Sequence, residues 1–345
     1  MDISKGGPPR QPAGGGKKIL VFSTAYLPFV GGAEVAVKEI TDRVPDACFD
    51  MITARLDKKL LKFERVGNVN VHRLGIGIPM LDKYWLAFFG HRFARKLHKK
   101  NRYDLIWSIM ASYGGFAAMF FKRRNPQTPF LLTLQEGDDP EYIKKRVGFA
   151  KAWFKKIFTS ADYIQCISRF LADWARQNGA ACPIEVVPNG VDLSKINPPA
   201  GGQKSNYKTI ITTSRLVHKN GIDVLVKSIS NLIRRGGQIS NIRLWILGSG
   251  PDEEKLKNLT RELKVENIVE FFGHVQPGLS PSYLARAHVI VRPARSEGLG
   301  SSFLEAMGAG LPIIGTPVGG VPDFLEDRKT GLFAKVNDSQ DLVLK

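Results

Sequence analysis

The strongest constraint in this chain is an alternation. Short, nearly continuous apolar runs recur along it, and stretches with helical spacing separate most of them. KKILVFSTA (17–25), FDMITARL (49–56), NVNVHRLGI (68–76), YDLIWSI (103–109), PFLLTLQ (129–135), DYIQCIS (162–168) and IEVVP (184–188) read as strands, with helical patterns at 33–44 and 84–100. Strands that are apolar throughout need cover on both faces, and helical crossovers supply it. The pattern predicts a doubly wound, parallel α/β sheet.

Around INPPAGGQKSNY (196–207) the composition becomes that of a linker. The alternation then restarts, with strands expected in KTIITTSRL (208–216), IRLWILGSG (242–250), NIVEFFGHV (267–275), HVIVRPA (288–294) and LPIIGTP (311–317). The expectation is an α/β chain of two Rossmann-like domains, 17–195 and 208–345, and 345 residues suit two cores better than one. Residues 1–16 are Pro/Gly-rich and read as a disordered tail. In such sheets ligands sit beyond the carboxyl ends of the strands, and two facing sheets make a cleft.

Charge narrows the partners. The net formal charge is +18, and residues 1–200 carry 31 Lys and Arg against 18 Asp and Glu, or +13 of it. Such an excess suits an anionic substrate or an anionic membrane. Nucleic acid is not expected, because no zinc-finger spacing, RNP-like motif or clear helix-turn-helix is present. Cys48, Cys166 and Cys182 are scattered and odd in number, which points to a reducing, cytoplasmic compartment. The longest uncharged stretch, 106–121, is too short to span a bilayer. In 84–100, Trp85, Leu86, Phe89, Phe93 and Leu97 can share one face, with Arg92, Arg95, Lys96, Lys99 and Lys100 gathered toward the C-terminal end. KKRVGFAKAWFKKIF (144–158) repeats that character. Peripheral attachment to the inner face of a membrane is one reading, and ordinary crossover helices with a solvated basic face are the other.

The densest chemistry lies in SEGLGSSFLEAMGAGLP (296–312). Gly298 and Gly300 permit a tight turn and close approach of another molecule. Ser301 or Ser302 can cap a helix through Phe303–Met307, whose first amides suit an anion. Ser302 and Glu305 also have the spacing of a capping box, so Glu305 has a purely structural reading as well. Other strand ends are polar too. Gly31 and Gly32 open a helix after the first strand, and Gln135, Glu136, Asp138 and Asp139 cluster after PFLLTLQ. Arg215, His218 and Lys219 follow the first strand of the second half; cations there suit phosphate oxygens or a plain surface salt bridge. Gly248 and Gly250 bring backbone close before a helix, and His274 sits in a strand-end turn. No metal-ligand spacing, P-loop or nucleophile elbow is found, so neither a metal nor another cofactor is expected.

In this order and spacing the motifs resemble the retaining glycosyltransferase family 4, of GT-B fold with two Rossmann-like domains facing across a cleft. The resemblance covers 17–345 and rests on Glu297 and Glu305 in Glu-x7-Glu, with YLPFVGGAE, VPNGVD (187–192), SRLVHKNG, LGSGP, FFGHV and GGVPDFLEDRKTGLF (319–333) in support. It implies a nucleotide-diphosphate sugar donor and a glycan or lipid-linked acceptor, with the donor as substrate rather than cofactor. Glu305 would bind the ribose hydroxyls and Glu297 would face the transferred sugar. Amides of Gly298, Leu299, Gly300 and Ser301 would meet the sugar and diphosphate, Arg215 and Lys219 would neutralise the diphosphate, and Gly31 and Gly32 would close over it. Gly248, Gly250 and His274 belong to the implied donor site, the segment after Gly273 bordering the base. Retention is generally attributed in this family to same-face attack without a protein nucleophile.

The chain departs from that pattern in three places. The family spacing puts Lys at 220, where Asn220 stands and Lys219 precedes it. Gln135 replaces a histidine that usually contacts the transferred sugar. The sequence also stops at NDSQDLVLK, where relatives continue with helices, so a truncated second domain is expected. A soluble-acceptor synthase of the same fold, and an inactive nucleotide- or glycan-binding assembly subunit, are the competing readings.

Overall fold

The computed structural model describes residues 16–196, 207–235, 241–276 and 278–345. The expected tail, Gly16 apart, and the expected linker between Ile196 and Tyr207 lie outside the described residues. The chain divides into two compact units. One comprises Met1–Glu136 with Pro140–Pro188; the other comprises Gly137–Asp139 with Asn189–Lys345.

The first unit holds β1 (Lys18–Phe22), β2 (Cys48–Ala54), β3 (Phe63–Val66), β4 (Val69–Leu74), β5 (Leu105–Ile109), β6 (Phe130–Leu134), β7 (Tyr163–Cys166) and β8 (Ile184–Val186) in one sheet, in the order β3-β4-β2-β1-β5-β6-β7-β8. All neighbours are parallel except β3 and β4. β3 is absent from the sequence reading: FERV is a half-exposed edge whose alternation is broken by charge. One side of the sheet is filled by Val21, Phe49, Met51, Val71 and Trp107.

The helix expected over 84–100 runs from Pro79 to Asn101, and its faces differ from the sequence reading. Leu86 is fully buried, Phe93 and Leu97 are half-buried, and Trp85 and Phe89 are exposed. The buried residues are instead Asp82, Leu86, Ala87, Gly90, His91 and Ala94. Small residues explain it. A Cβ on Gly90 would lie 3.0 Å from Ala117 Cβ on the neighbouring helix Tyr113–Lys122, so the two helices meet closely at this point and leave Trp85 and Phe89 outside it. The aromatics turn outward.

The second unit holds β9 (Lys208–Thr213), β10 (Ile242–Leu247), β11 (Val269–Gly273), β12 (Val289–Arg292), β13 (Ile313–Gly315) and β14 (Leu332–Phe333). The order is β11-β10-β9-β12-β13-β14, parallel throughout, which is the Rossmann order 3-2-1-4-5-6. Successive residues point to opposite faces, and both faces are covered. Ile211, Ile290, Ile313, Phe303 and Leu325 form the core on one side, and Leu244, Ile246, Val291, Leu225 and Ile229 the core on the other. Among the described residues no helix is long and apolar enough to cross a membrane.

Candidate functional site

In the second unit β9 and β12 are hydrogen-bonded neighbours, and the strand order reverses between them. Loops leaving two such strands diverge to opposite faces and open a crevice. The residues expected to carry chemistry lie mainly in those two loops.

The loop after β9 is held from several sides. Leu216 N donates to Ser249 O at 3.0 Å, and Asp252 N donates to Leu216 O at 3.1 Å. A Cβ on Gly248 would lie 1.9 Å from Ser214 O, and one on Gly250 would lie 2.2 Å from Leu216 O. The close approach expected of both glycines is therefore made by the chain's own loop. Asn220 is buried and donates its side-chain amide to Arg215 O at 2.6 Å. It serves the loop, and the cation stands one residue earlier. Arg215 is exposed, and its guanidinium has no hydrogen bond or ion pair among the described residues. Lys219 pairs with Asp138 at 3.0 Å, so its salt-bridge reading has a real partner, and Asp138 is not merely solvated. That pairing does not remove it from the acids: the point where a Cβ on Gly137 would sit is 2.9 Å from Lys219 Nζ and 3.6 Å from Glu297 Oε1.

The loop after β12 is organised by two arginines. Arg292, the last strand residue, is buried; its Nη2 donates to Glu297 Oε2 at 2.5 Å and its Nη1 donates to Ser302 Oγ. Glu297 Oε1 accepts from Gly298 N at 3.2 Å. Arg295 donates from Nη1 and Nη2 to the two oxygens of Asp223, at 2.8 Å each. It also donates from Nη1 to His218 O and from its backbone N to Lys219 O, so it stitches the two loops together. Burial alone would push the Asp223 carboxyl up, but the Arg295 hydrogen bonds and charge outweigh it and hold that carboxyl below its usual range.

The helix Ser301–Gly308 begins differently from the sequence reading. Its N-cap is Gly300, at φ 89°, and no side chain caps it. Neither Ser301 nor Ser302 plays that part, and the capping box with Glu305 does not form. The reason is steric. Phe303 N donates to Gly300 O at 2.8 Å, and a Cβ on Gly300 would lie 2.7 Å from the Phe303 ring. Only glycine fits this left-handed turn, so the cap position is taken before a serine is reached. Glu305 accepts from Ser280 Oγ at 3.3 Å. Burial pushes its carboxyl above the usual range, with Ser280 and the Arg292 charge opposing.

Gly298, Leu299 and Gly300 are buried in this turn, while His274 is exposed just past β11. The structure thus gathers Lys219, Glu297 and Gly298 around Gly137, and brings Arg292 to both Glu297 and Ser302. Gly31, the N-cap of the helix Gly32–Asp42, and Gln135, just past β6, belong to the first unit. Arg292, Arg295, Asp223 and Ser280 escaped the sequence reading. The one available signal was two arginines in RPARSE, at the end of a strand whose other residues are apolar.

Residues 30–195 match the family model Glycosyltransferase Family 4, and residues 194–345 match Glycosyl transferases group 1. Together these matches support a GT-B glycosyltransferase of the GT4 type. An uncharacterized glycosyltransferase of Methanocaldococcus jannaschii is 24% identical over 94% of this chain and 86% of its own length. A GDP-mannose-dependent alpha-(1-6)-phosphatidylinositol monomannoside mannosyltransferase of Mycobacterium tuberculosis is 32% identical over 53% of this chain, and the match spans 51% of that relative. Among solved structures, HepE of Anabaena in complex with UDP-glucose aligns over 95% of this chain and 88% of its own, with a TM-score of 0.74 and 18% identity. That likeness carries the GT-B fold: two α/β units with parallel sheets.

Proposed function

We propose that the chain transfers a hexose from a nucleotide-diphosphate sugar to an acceptor hydroxyl, with retention of anomeric configuration. The observation that carries the reading is the set of charges at the strand-order reversal of the second unit. Arg215 and Lys219 follow β9, and Glu297 and Glu305 follow β12. The names of the relatives support the donor class: one is GDP-mannose-dependent, and one structural neighbour holds UDP-glucose.

In this reading Arg215 and Lys219 take the diphosphate, and the turn Gly298–Ser301 presents its backbone amides. Glu305 accepts from the ribose hydroxyls and Glu297 from the transferred sugar. As the bond from C1 to the phosphate oxygen breaks, negative charge grows on the leaving diphosphate, where fixed cations stabilise it. The acceptor oxygen bonds C1 on the same face, and its proton passes to a phosphate oxygen. No protein nucleophile is needed.

The acceptor is a glycan or a lipid-linked sugar, and the chain works peripherally on an anionic cytoplasmic leaflet. The first unit supports this. Trp85 and Phe88 are 54% and 56% exposed, and Met80, Leu81, Tyr84 and Phe89 join them on the same helix. The segment 140–159 presents the exposed rings of Tyr142, Phe149 and Trp153 among Lys144, Lys145, Arg146, Lys151 and Lys155. Ring contacts tie the two segments into one surface: Tyr84 meets Tyr113 edge-on at 5.4 Å, and Arg146 lies 6.0 Å over Tyr113. Rings that reach the headgroup boundary and cations that meet anionic lipid are the two components of interfacial binding.

The test is nucleotide diphosphate release from UDP-, GDP- and ADP-hexoses with a glycolipid acceptor, followed by NMR of the new linkage. Release with a retained anomeric centre fits the reading. A chain that binds a donor and never turns it over is a binding subunit instead.

A further inference from the structure

We propose that Arg292 is a positioning residue of the donor site: it fixes the Glu297 carboxylate and the start of the helix Ser301–Gly308 in a single arrangement. The inference rests on the donor-site reading above.

Arg292 ends a strand whose preceding residues are Val289, Ile290 and Val291, and its side chain is 8% exposed. Burying a guanidinium is costly, and an apolar residue of similar size is often the more stable choice in such a place. The surroundings recover only part of that cost. Nη2 donates to Glu297 Oε2, Nη1 donates to Ser302 Oγ, and the guanidinium carbon lies 5.5 Å from the centre of the Phe303 ring. Nε is buried and finds no partner among the described residues. An unmet buried donor adds to the cost of placing a guanidinium here rather than offsetting it.

The contacts say what the charge does instead. With Oε2 on Arg292 and Oε1 on Gly298 N, the Glu297 carboxylate has both oxygens tethered and one orientation available. Ser302 Oγ is tied to the same guanidinium, so the acid and the first turn of the helix move as one body. The Arg292 charge also reaches Glu305, where it opposes the upward push of burial. One buried cation therefore acts on both acids of the site.

The test uses the full chain with Arg292→Met, Arg292→Lys, Glu297→Gln and the Arg292→Met/Glu297→Gln double variant. Nucleotide diphosphate release is followed with UDP-glucose and GDP-mannose. Arg292→Met is expected to lower kcat ten- to a hundredfold with KM changed less than threefold. Arg292→Lys, which can still donate to one of the two oxygens, is expected to restore part of the loss. The acid limb of the pH profile should move to higher pH in Arg292→Met, as Glu305 loses its opposing charge. Urea unfolding of the same four proteins, without any donor, gives a second cycle. The midpoint shifts of the two single changes are expected to exceed that of the double variant when summed. Additive shifts with an unmoved pH profile would overturn the assignment and leave Arg292 as packing. Should the wild-type chain turn over none of the UDP-, GDP- and ADP-hexoses, the donor reading falls, while the unfolding cycle still decides whether Arg292 and Glu297 are coupled.

Discussion

The Arg295 guanidinium grips both oxygens of Asp223, at 2.8 Å each, and its Nη1 together with the Arg295 backbone N holds the β9 loop against the β12 loop. Planar, two-point pairing of this kind is among the stronger forms of ion pair.

Asp223→Asn should therefore destabilise the chain by about 1–3 kcal/mol at neutral pH, between the values for exposed and buried pairs. Because the Asp223 carboxyl is held below its usual range, its stabilisation is present above the unfolded pKa and is lost as pH falls through the lower folded one. Urea midpoints measured from pH 7 down to pH 3 should converge for wild type and variant. A gap that stays constant over that range would mean the pair carries no charge-dependent stability.

Glu305 is expected to behave in the opposite sense. Its carboxyl is raised by burial, so the folded chain loses stability as pH rises from the unfolded pKa through the folded one. Glu305→Gln should hold or raise the thermal midpoint of the free protein at pH 7. The same change should weaken donor binding roughly ten- to a hundredfold, the worth of about 1.5–3 kcal/mol for a charged hydrogen bond. Calorimetry and donor titration on one preparation check both halves. A lower midpoint with an unchanged Kd would return Glu305 to a structural part.

Transfer should continue in excess EDTA. In the proposed reading, Arg215 and Lys219 supply the positive charge that a metal would otherwise bring to the diphosphate. Loss of activity on chelation, restored by Mg²⁺ or Mn²⁺, would reject that division of labour.

The exposed aromatic and basic surface of the first unit should bind vesicles containing anionic lipid at low salt and release them at high salt. Each Lys or Arg near such a leaflet contributes about 1 kcal/mol, screened within a Debye length. Replacing Trp85 and Phe88 with serine should weaken co-sedimentation while leaving the unfolding midpoint nearly unmoved, because both rings are largely in water. Equal binding to neutral and anionic vesicles, or none to either, would remove the membrane from the reading.

How much of this was legible varies with the kind of interaction. The long strands could be read because each is an apolar run that only a covered sheet accommodates. β3 and β14 could not: FERV is a charged edge, and a two-residue strand has no period. The loop ends of β9 and β12 could be located, but the roles within them could not. Nothing local in VIVRPA says that Arg292 folds back onto a glutamate five residues on. Capping preference pointed to Ser301 or Ser302, and the contact of Phe303 with Gly300 decided otherwise. Helix 79–101 was legible as a helix, yet its buried stripe was set by Gly90 and Ala94 rather than by its largest side chains.

The fastening of the β9 loop bears on the entropy of recognition. Leu216 N, the Asn220 amide and the backbone N and guanidinium of Arg295 hold residues 214–221 in place before any ligand arrives. Ordering eight free residues would cost on the order of 10 kcal/mol, at about 1–2 kcal/mol each. In the proposed reading, with the backbone already fixed by folding, capture of the diphosphate has the Arg215 and Lys219 side chains left to order in this loop, at about 0.5–1.5 kcal/mol each. Selectivity at this end of the proposed site then lies in where two cationic side chains can reach, and variation at position 215 should alter affinity without first having to reshape the loop.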